Sequence, residues 1–265
     1  MITPILMLGA GRMGGAMLAG WRKAGAFEPG ELMIRDPEPG PAALALALDG
    51  AVLNPPEAEL ARARTVVLAV KPQIWREAAA EVAPWLAADA VIVSIAAGVR
   101  SGDIGREFGG RCTARVMPTT AAAIGQGTAS LYADDPAALA RAHALFEPLG
   151  AVVDLDDEDL MHVATAVSGS APAYLYAFIE ALEAAGMAAG LTGRDASRLA
   201  RSTLTGAASL LAQGNEDPAE LRRQVTSPGG TTQAALEILL GDEGLHPLLR
   251  RAVGAAVRRS KELGS

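Results

Sequence analysis

Short aliphatic and β-branched runs alternate with alanine-rich amphipathic stretches over the first part of the chain, a pattern of strands interleaved with helices. The runs predict strands over Pro4 to Leu8, Leu32 to Arg35, Thr65 to Val70, Val91 to Ile95, Cys112 to Met117, Thr128 to Tyr132 and Ala151 to Asp154. Such alternation builds a parallel, doubly wound sheet whose ligand crevice lies at the carboxyl ends of the strands. From Asp156 onward the strand signal stops. Leu160 to Val167, Ala173 to Gly190, Asp195 to Gln213, Ala219 to Val225, Gln233 to Leu240 and Pro247 to Leu263 all read as helices. The expected class is therefore α/β, with a doubly wound sheet over 1–153 and an all-α domain over 154–265.

The helices of the second domain carry more apolar and alanine positions than one buried stripe requires, notably over Ala181 to Leu191 and Leu204 to Leu211. Several faces then need covering, and self-association through these helices is the expected outlet. The chain has 265 residues and is 50% hydrophobic, enough for a substantial core. Its formal charge of -7 disfavours a nucleic-acid surface and suits a small-molecule partner. No apolar run has the length of a membrane span, and the N-terminal Ile5-Leu6-Met7-Leu8 is cut short by Gly9 without the charged flank of a signal peptide. A cytoplasmic protein is expected. Cys112 lies in a predicted strand and reads as a packed thiol; His143, His162 and His246 lack ligand spacing, so no metal site is expected. The acidic run Asp154 to Asp159 reads as a solvated domain junction.

Gly9-Ala10-Gly11-Arg12-Met13-Gly14 directly follows the first strand and opens the first helix, which is the context that gives a Gly-x-Gly-x-x-Gly match its meaning. Gly9 permits the tight turn, Gly11 lets a pyrophosphate lie against backbone N–H groups, and Gly14 lets the helix pack closely on the strand. This makes the sheet Rossmann-like. The second strand ends at Arg35-Asp36, where a ribose-reading residue is expected. Asp36 would accept from a free ribose and repel a 2′-phosphate, whereas Arg35 would attract that phosphate, and a one-residue register decides between them. Ala69-Val70-Lys71-Pro72, Ala96-Ala97-Gly98 and Thr119 fall after later strands and are expected along the same dinucleotide.

Ser227-Pro228-Gly229-Gly230-Thr231-Thr232 places hydroxyls and a side-chain-free turn before a predicted helix. Unpaired N–H groups and the positive end of the helix dipole make such a mouth an anion cradle. A dinucleotide domain followed by helices also describes the 3-hydroxyacid dehydrogenases, which move the hydroxyl proton with a lysine on the long helix after the sheet. From Ser168 to Gln213 this chain has no lysine. Reduction of an imine needs less from the protein, because a C=N nitrogen is basic enough to arrive protonated and its carbon accepts hydride readily.

Six motifs stand in order along nearly the whole chain: Gly9-x-Gly11-x-Met13-Gly14, Ala69-Val70-Lys71-Pro72, Ser94-Ile95-Ala96-Ala97-Gly98, Arg115-Val116-Met117-Pro118, Ser168-Gly169-Ser170-Ala171-Pro172-Ala173-Tyr174, and Ser227 to Thr232. Together they make the chain closely similar to the Δ1-pyrroline-5-carboxylate reductases. The resemblance implies reduction of 1-pyrroline-5-carboxylate to L-proline, with NADP(H) or NAD(H) as cofactor. It implies that Ser227, Gly229, Gly230 and Thr231 hold the substrate carboxylate while Thr232 meets the ring nitrogen as the catalytic hydroxyl. It also implies a homodimer through the C-terminal helices, often assembled further into a decamer. This chain has Thr119 where the family usually has Asn, and Ala122, Ala171 and Pro56 where it usually has Pro, Gly and often Asn. A reductase of another cyclic imine and a non-catalytic dinucleotide sensor are the competing readings.

Overall fold

The computed structural model describes residues 2–263. Its sheet is made of β1 (Ile5–Leu8), β2 (Leu32–Arg35), β3 (Val52–Leu53), β4 (Thr65–Leu68), β5 (Val91–Ser94), β6 (Thr113–Pro118), β7 (Gly127–Tyr132) and β8 (Gly150–Asp154), in the order β3-β2-β1-β4-β5-β6-β7-β8. The chain runs outward through β1, β2 and β3, then returns to place β4 beside β1. That reversal is the switch point at which an open α/β sheet forms its crevice.

The central strands β1, β4 and β5 are buried at every position, as strands covered on both faces must be. The covering helices are α1 (Arg12–Ala24), α2 (Pro41–Leu48), α3 (Glu57–Leu60), α4 (Trp75–Val82), α5 (Ser101–Glu107) and α6 (Pro136–Phe146). Strand alternation sorts the core into two layers. Ile5, Met7, Leu32 and Ile34 pack with α1, α2 and α6, while Leu6, Leu8, Met33 and Leu68 pack with α3, α4 and α5. Trp21 of α1 anchors the first layer, and its indole N–H donates to the Leu145 carbonyl at 2.7 Å.

Three sequence expectations change here. The strand β3 has only two residues, too few to leave a period in the sequence. The strand β7 runs antiparallel to β6, with β8 parallel to β7, so the sheet is not wholly parallel. A parallel neighbour needs a crossover of about a dozen residues or more, and a single 3-10 turn over Thr120–Ile124 joins β6 to β7. Cys112 is exposed rather than packed, because it precedes β6 directly and follows the Gly109-Gly110 turn before the chain has entered the sheet.

The remaining helices are α7 (Leu160–Ala164), α8 (Ala171–Ala188), α9 (Gly193–Gln213), α10 (Pro218–Gln224), α11 (Thr231–Leu239) and α12 (Leu245–Leu263). One compact unit runs as far as Gly169 and takes in the chain from Ala256; the other spans Ser170–Ala255. A π-helical turn over Thr165–Gly169 follows α7, and a Cβ on its Gly169 would lie 3.5 Å from the Met117 thioether. Within the second unit α8 packs on α9, where a Cβ on Gly186 would lie 3.4 Å from the Ala196 Cβ, so small residues set the approach. Thr192 caps α9 by accepting the Asp195 N–H at 3.2 Å. Yet α8 buries only Ile179 and α9 only Ala196 and Ala200, leaving Leu175, Tyr176, Phe178, Leu199, Leu210 and Leu211 exposed. Two long helices with so little covered surface present apolar faces of the kind that interfaces use.

Candidate active site

The glycine loop lies at the switch point. Gly9 has φ +92°, a conformation that L side chains rarely adopt, and a Cβ there would come within 2.8 Å of the Ala69 carbonyl oxygen. A Cβ on Gly14 would strike the Gly9 carbonyl, so this glycine is what lets α1 begin directly above β1. Gly11 differs from both, because no atom lies within 4 Å of where its Cβ would be. It is the N-cap of α1, no side chain caps the helix, and Gly11 and Arg12 are exposed. The first N–H groups of α1 therefore face open space at the positive end of a 13-residue helix. This arrangement fits a dinucleotide pyrophosphate.

Strand parity separates Arg35 from Asp36. Arg35 shares the side of Met33, and its Nη2 lies 3.7 Å from Glu81 of α4 and 4.0 Å from Glu57 of α3. Asp36 falls on the side of Ile34 and α1: its Oδ2 accepts the Ala10 N–H at 2.5 Å and its Oδ1 accepts the Glu38 N–H at 2.8 Å. The carboxylate is thereby fixed against the glycine loop, and Asn54 steadies its backbone by accepting the Asp36 N–H at 2.9 Å. Ala10 and Asn54 were not legible as participants, since a backbone N–H and a side chain from the loop after β3 leave no spacing signal.

The other residues read toward the dinucleotide follow strand ends on the same edge. Ala69 and Val70 continue β4 and touch Gly9; Lys71 is exposed and Pro72 half-buried. Ala96 is buried, Ala97 half-buried, and Gly98 has φ +80° in the turn after β5. Thr119 follows β6, is 8% exposed, and its hydroxyl accepts the Thr128 N–H at 3.0 Å. That oxygen thus extends the β6–β7 pairing where the family's usual Asn would stand.

The second unit holds the other cradle. Ser227-Pro228-Gly229-Gly230 forms a turn closed by the Gly230 N–H donating to the Ser227 carbonyl at 3.1 Å, with Pro second and Gly229 third at φ +67°, the signature of a type II turn. A Cβ on Gly230 would collide with the Ser227 hydroxyl, so this glycine leaves that hydroxyl the room it occupies. The helix α11 starts at Thr231, earlier than its sequence pattern indicates, which puts Thr231 and Thr232 in its first turn. No side chain caps α11. Gln233, unremarked in the sequence, instead folds back so that its Oε1 accepts the Gly229 N–H at 2.8 Å and braces the turn. Ser227, Gly229 and Thr231 are exposed, and Gly230 and Thr232 half-buried.

A charge cluster in the first unit overturns the reading of Asp154 to Asp159 as wholly solvated. Arg115 of β6 is 2% exposed, and its Nη1 donates to Glu158 Oε1 at 2.9 Å. The same oxygen accepts the Ser101 N–H at 2.6 Å. Burial lowers the Arg115 pKa, and Glu158 opposes that shift. Beside them His162 is 7% exposed, with Nδ1 2.9 Å from the Ser260 hydroxyl; burial, then Arg115 and Lys261, lower its pKa. Among the described residues no cluster of metal-ligating groups occurs, and no helix is long and apolar enough to cross a membrane.

Comparison with known proteins bears on both ends of the chain. The family model of pyrroline-5-carboxylate reductase dimerisation matches residues 158–263, and that of NADP oxidoreductase, coenzyme F420-dependent, matches residues 4–98. The pyrroline-5-carboxylate reductase of Pseudomonas aeruginosa is 38% identical over 99% of this chain and 98% of its own. The solved reductase of Coxiella burnetii has a TM-score of 0.91 at 29% identity, covering 100% of both chains. A pyrroline carboxylate reductase of Plasmodium falciparum, solved with NADP bound, has a TM-score of 0.84 at 26% identity over 99% of this chain and 98% of that one. A nucleotide-type glycine loop, a helical region matched by the reductase dimerisation model and end-to-end similarity lead to one conclusion: the chain belongs to the pyrroline-5-carboxylate reductase family.

Proposed function

We propose that this chain reduces 1-pyrroline-5-carboxylate to L-proline with NAD(P)H as reductant. The observation that carries the reading is the turn ahead of α11, which presents uncapped helix N–H groups beside the Ser227 hydroxyl and two glycines without side chains. A ring carboxylate is the group such a site receives well, through the Ser227 hydroxyl and the helix start at Thr231, with Gly229 and Gly230 clearing its approach while their own N–H groups go to Gln233 and the Ser227 carbonyl. In the first turn of α11 the Thr232 hydroxyl then bonds the ring nitrogen and orients the C=N group. When bound, NAD(P)H supplies the hydride, and the imine nitrogen takes the proton that completes the amine. Gly9, Gly11, Arg12, Met13 and Gly14 hold the pyrophosphate, with Asp36 at the adenosine ribose. Ala69 to Pro72, Ala96 to Gly98 and Thr119 line the remainder of the cofactor.

The chain's work in this chemistry is positioning. Its uncovered α8 and α9 faces support a homodimer built through the C-terminal helices, and five such dimers would make the decamer that the resemblance implies. The function belongs in the cytoplasm, where reduced nicotinamide cofactors are supplied. The discriminating assay compares 1-pyrroline-5-carboxylate with 1-pyrroline, which lacks the carboxylate. Efficient turnover of the first and near-absence of turnover for the second is expected; equal turnover of both would remove the cradle from the reading.

A further inference from the structure

We propose that the turn after β2 makes this chain select NADH over NADPH, with Asp36 as the residue that sets the preference. The proposal rests on the dinucleotide reading above and narrows it to one of two cofactors.

Three observations carry it. The Asp36 carboxylate is held on the α1 side of the sheet by the Ala10 and Glu38 N–H groups, so it cannot swing clear without giving up both bonds. Each oxygen keeps a lone pair for a ribose hydroxyl, and a carboxylate so placed accepts from a 2′-hydroxyl and repels a 2′-phosphate. Next, the side chains of the turn offer that phosphate no partner, which leaves it only the uncapped start of α2 at Gly40. From Asp36 to Leu48 the sequence is Asp-Pro-Glu-Pro-Gly-Pro followed by alanines and leucines, with no cation and no hydroxyl. A phosphate there would meet Asp36 and Glu38, and like charges brought together are the usual way a site rejects the wrong ligand.

Finally, the cation adjacent to Asp36 in the chain, Arg35, points elsewhere. Arg35 is the last residue of β2, and strand alternation sends its side chain to the α3 and α4 side, toward Glu57 and Glu81. Reaching the ribose side would require the strand to shift by one residue, which would also move Met33 and Ile34 out of their core layers. Asn54 spends its oxygen on the Asp36 N–H and brings no positive charge to the turn.

The test is equilibrium binding of NADH and NADPH to the full-length protein without substrate, followed by cofactor fluorescence. The wild type is expected to bind NADH at least about tenfold more tightly than NADPH. In Asp36→Ser the ratio is expected to move toward NADPH by at least about tenfold, and Asp36→Asn, which keeps the shape and removes the charge, moves it the same way. Wild-type protein that binds NADPH as tightly as NADH overturns the proposal, as does an unchanged ratio in a folded Asp36 variant. A preference for NADPH with turnover of the imine intact would defeat only this inference. Failure to bind either dinucleotide would defeat the underlying reading with it.

Discussion

Arg115 Nη1 donates to Glu158 Oε1 at 2.9 Å, from a side chain that is 3% exposed, and so ties β6 to the segment that enters α7. The pair matters less for what it adds than for what either partner alone would cost. Glu158→Ala leaves a buried guanidinium without its counter-charge, and the expected loss of stability is about 3 kcal/mol. Replacing both partners, as Arg115→Met with Glu158→Leu, should recover the part due to the unpaired guanidinium, but not the part due to the Ser101 N–H, which loses the same carboxylate oxygen in both variants. Urea denaturation at fixed protein concentration reads both, the concentration being held because association couples to stability.

Two histidines give the fold opposite pH dependences. Burial first, then Arg115 and Lys261, lower the His162 pKa from 6.5, so the folded state favours neutral imidazole. Its contribution is present above pH 6.5 and is lost as pH falls toward the depressed folded value. His143 is raised from 6.5 by hydrogen bonds to Glu147 and Asp154, so its contribution is present below pH 6.5 and is lost as pH rises through the raised folded value. Thermal midpoints across pH should separate them. His162→Gln flattens the acid limb, and His143→Gln flattens the limb above 6.5.

The two glycines of the loop are expected to fail differently. Gly14→Ala drives a methyl into the Gly9 carbonyl and should lower the melting temperature as well as cofactor affinity. Gly11→Ala meets no protein atom within 4 Å, so the melting temperature should hold while dinucleotide affinity falls by about tenfold or more. Differential scanning calorimetry paired with a cofactor titration resolves the two. Retained affinity in Gly11→Ala would mean that the pyrophosphate does not lie over this helix start.

In the second unit, Thr232→Ala and Ser227→Ala should each lower kcat/KM for the imine by roughly tenfold to a hundredfold, the value of one lost positioning hydrogen bond. NADH affinity measured without substrate should stay at the wild-type level in both. A loss of dinucleotide binding in either variant would assign the turn to the cofactor instead.

The parts of this molecule that rest on periodicity were legible in the sequence. Buried runs such as Thr65–Leu68 and the alanine-rich helices announce themselves, and the glycine loop carries its own steric logic. What was hidden depends on direction and on distant partners. The register that sends Arg35 and Asp36 to opposite sides becomes clear only when Met33 and Ile34 are seen in separate core layers. The reversal at β7 follows from a short connection whose 3-10 turn resembles a helix start in sequence. The partial burial of Glu158 inside an acidic run is set by Arg115, a partner 43 residues away, and no local pattern encodes it.

The most direct measurement supplies purified protein with 1-pyrroline-5-carboxylate and reduced cofactor, following absorbance and analysing the product. L-proline formed in step with cofactor oxidation, one molecule for each dinucleotide consumed, is the expected result. Protein that binds the dinucleotide yet forms no proline from this imine would contradict it.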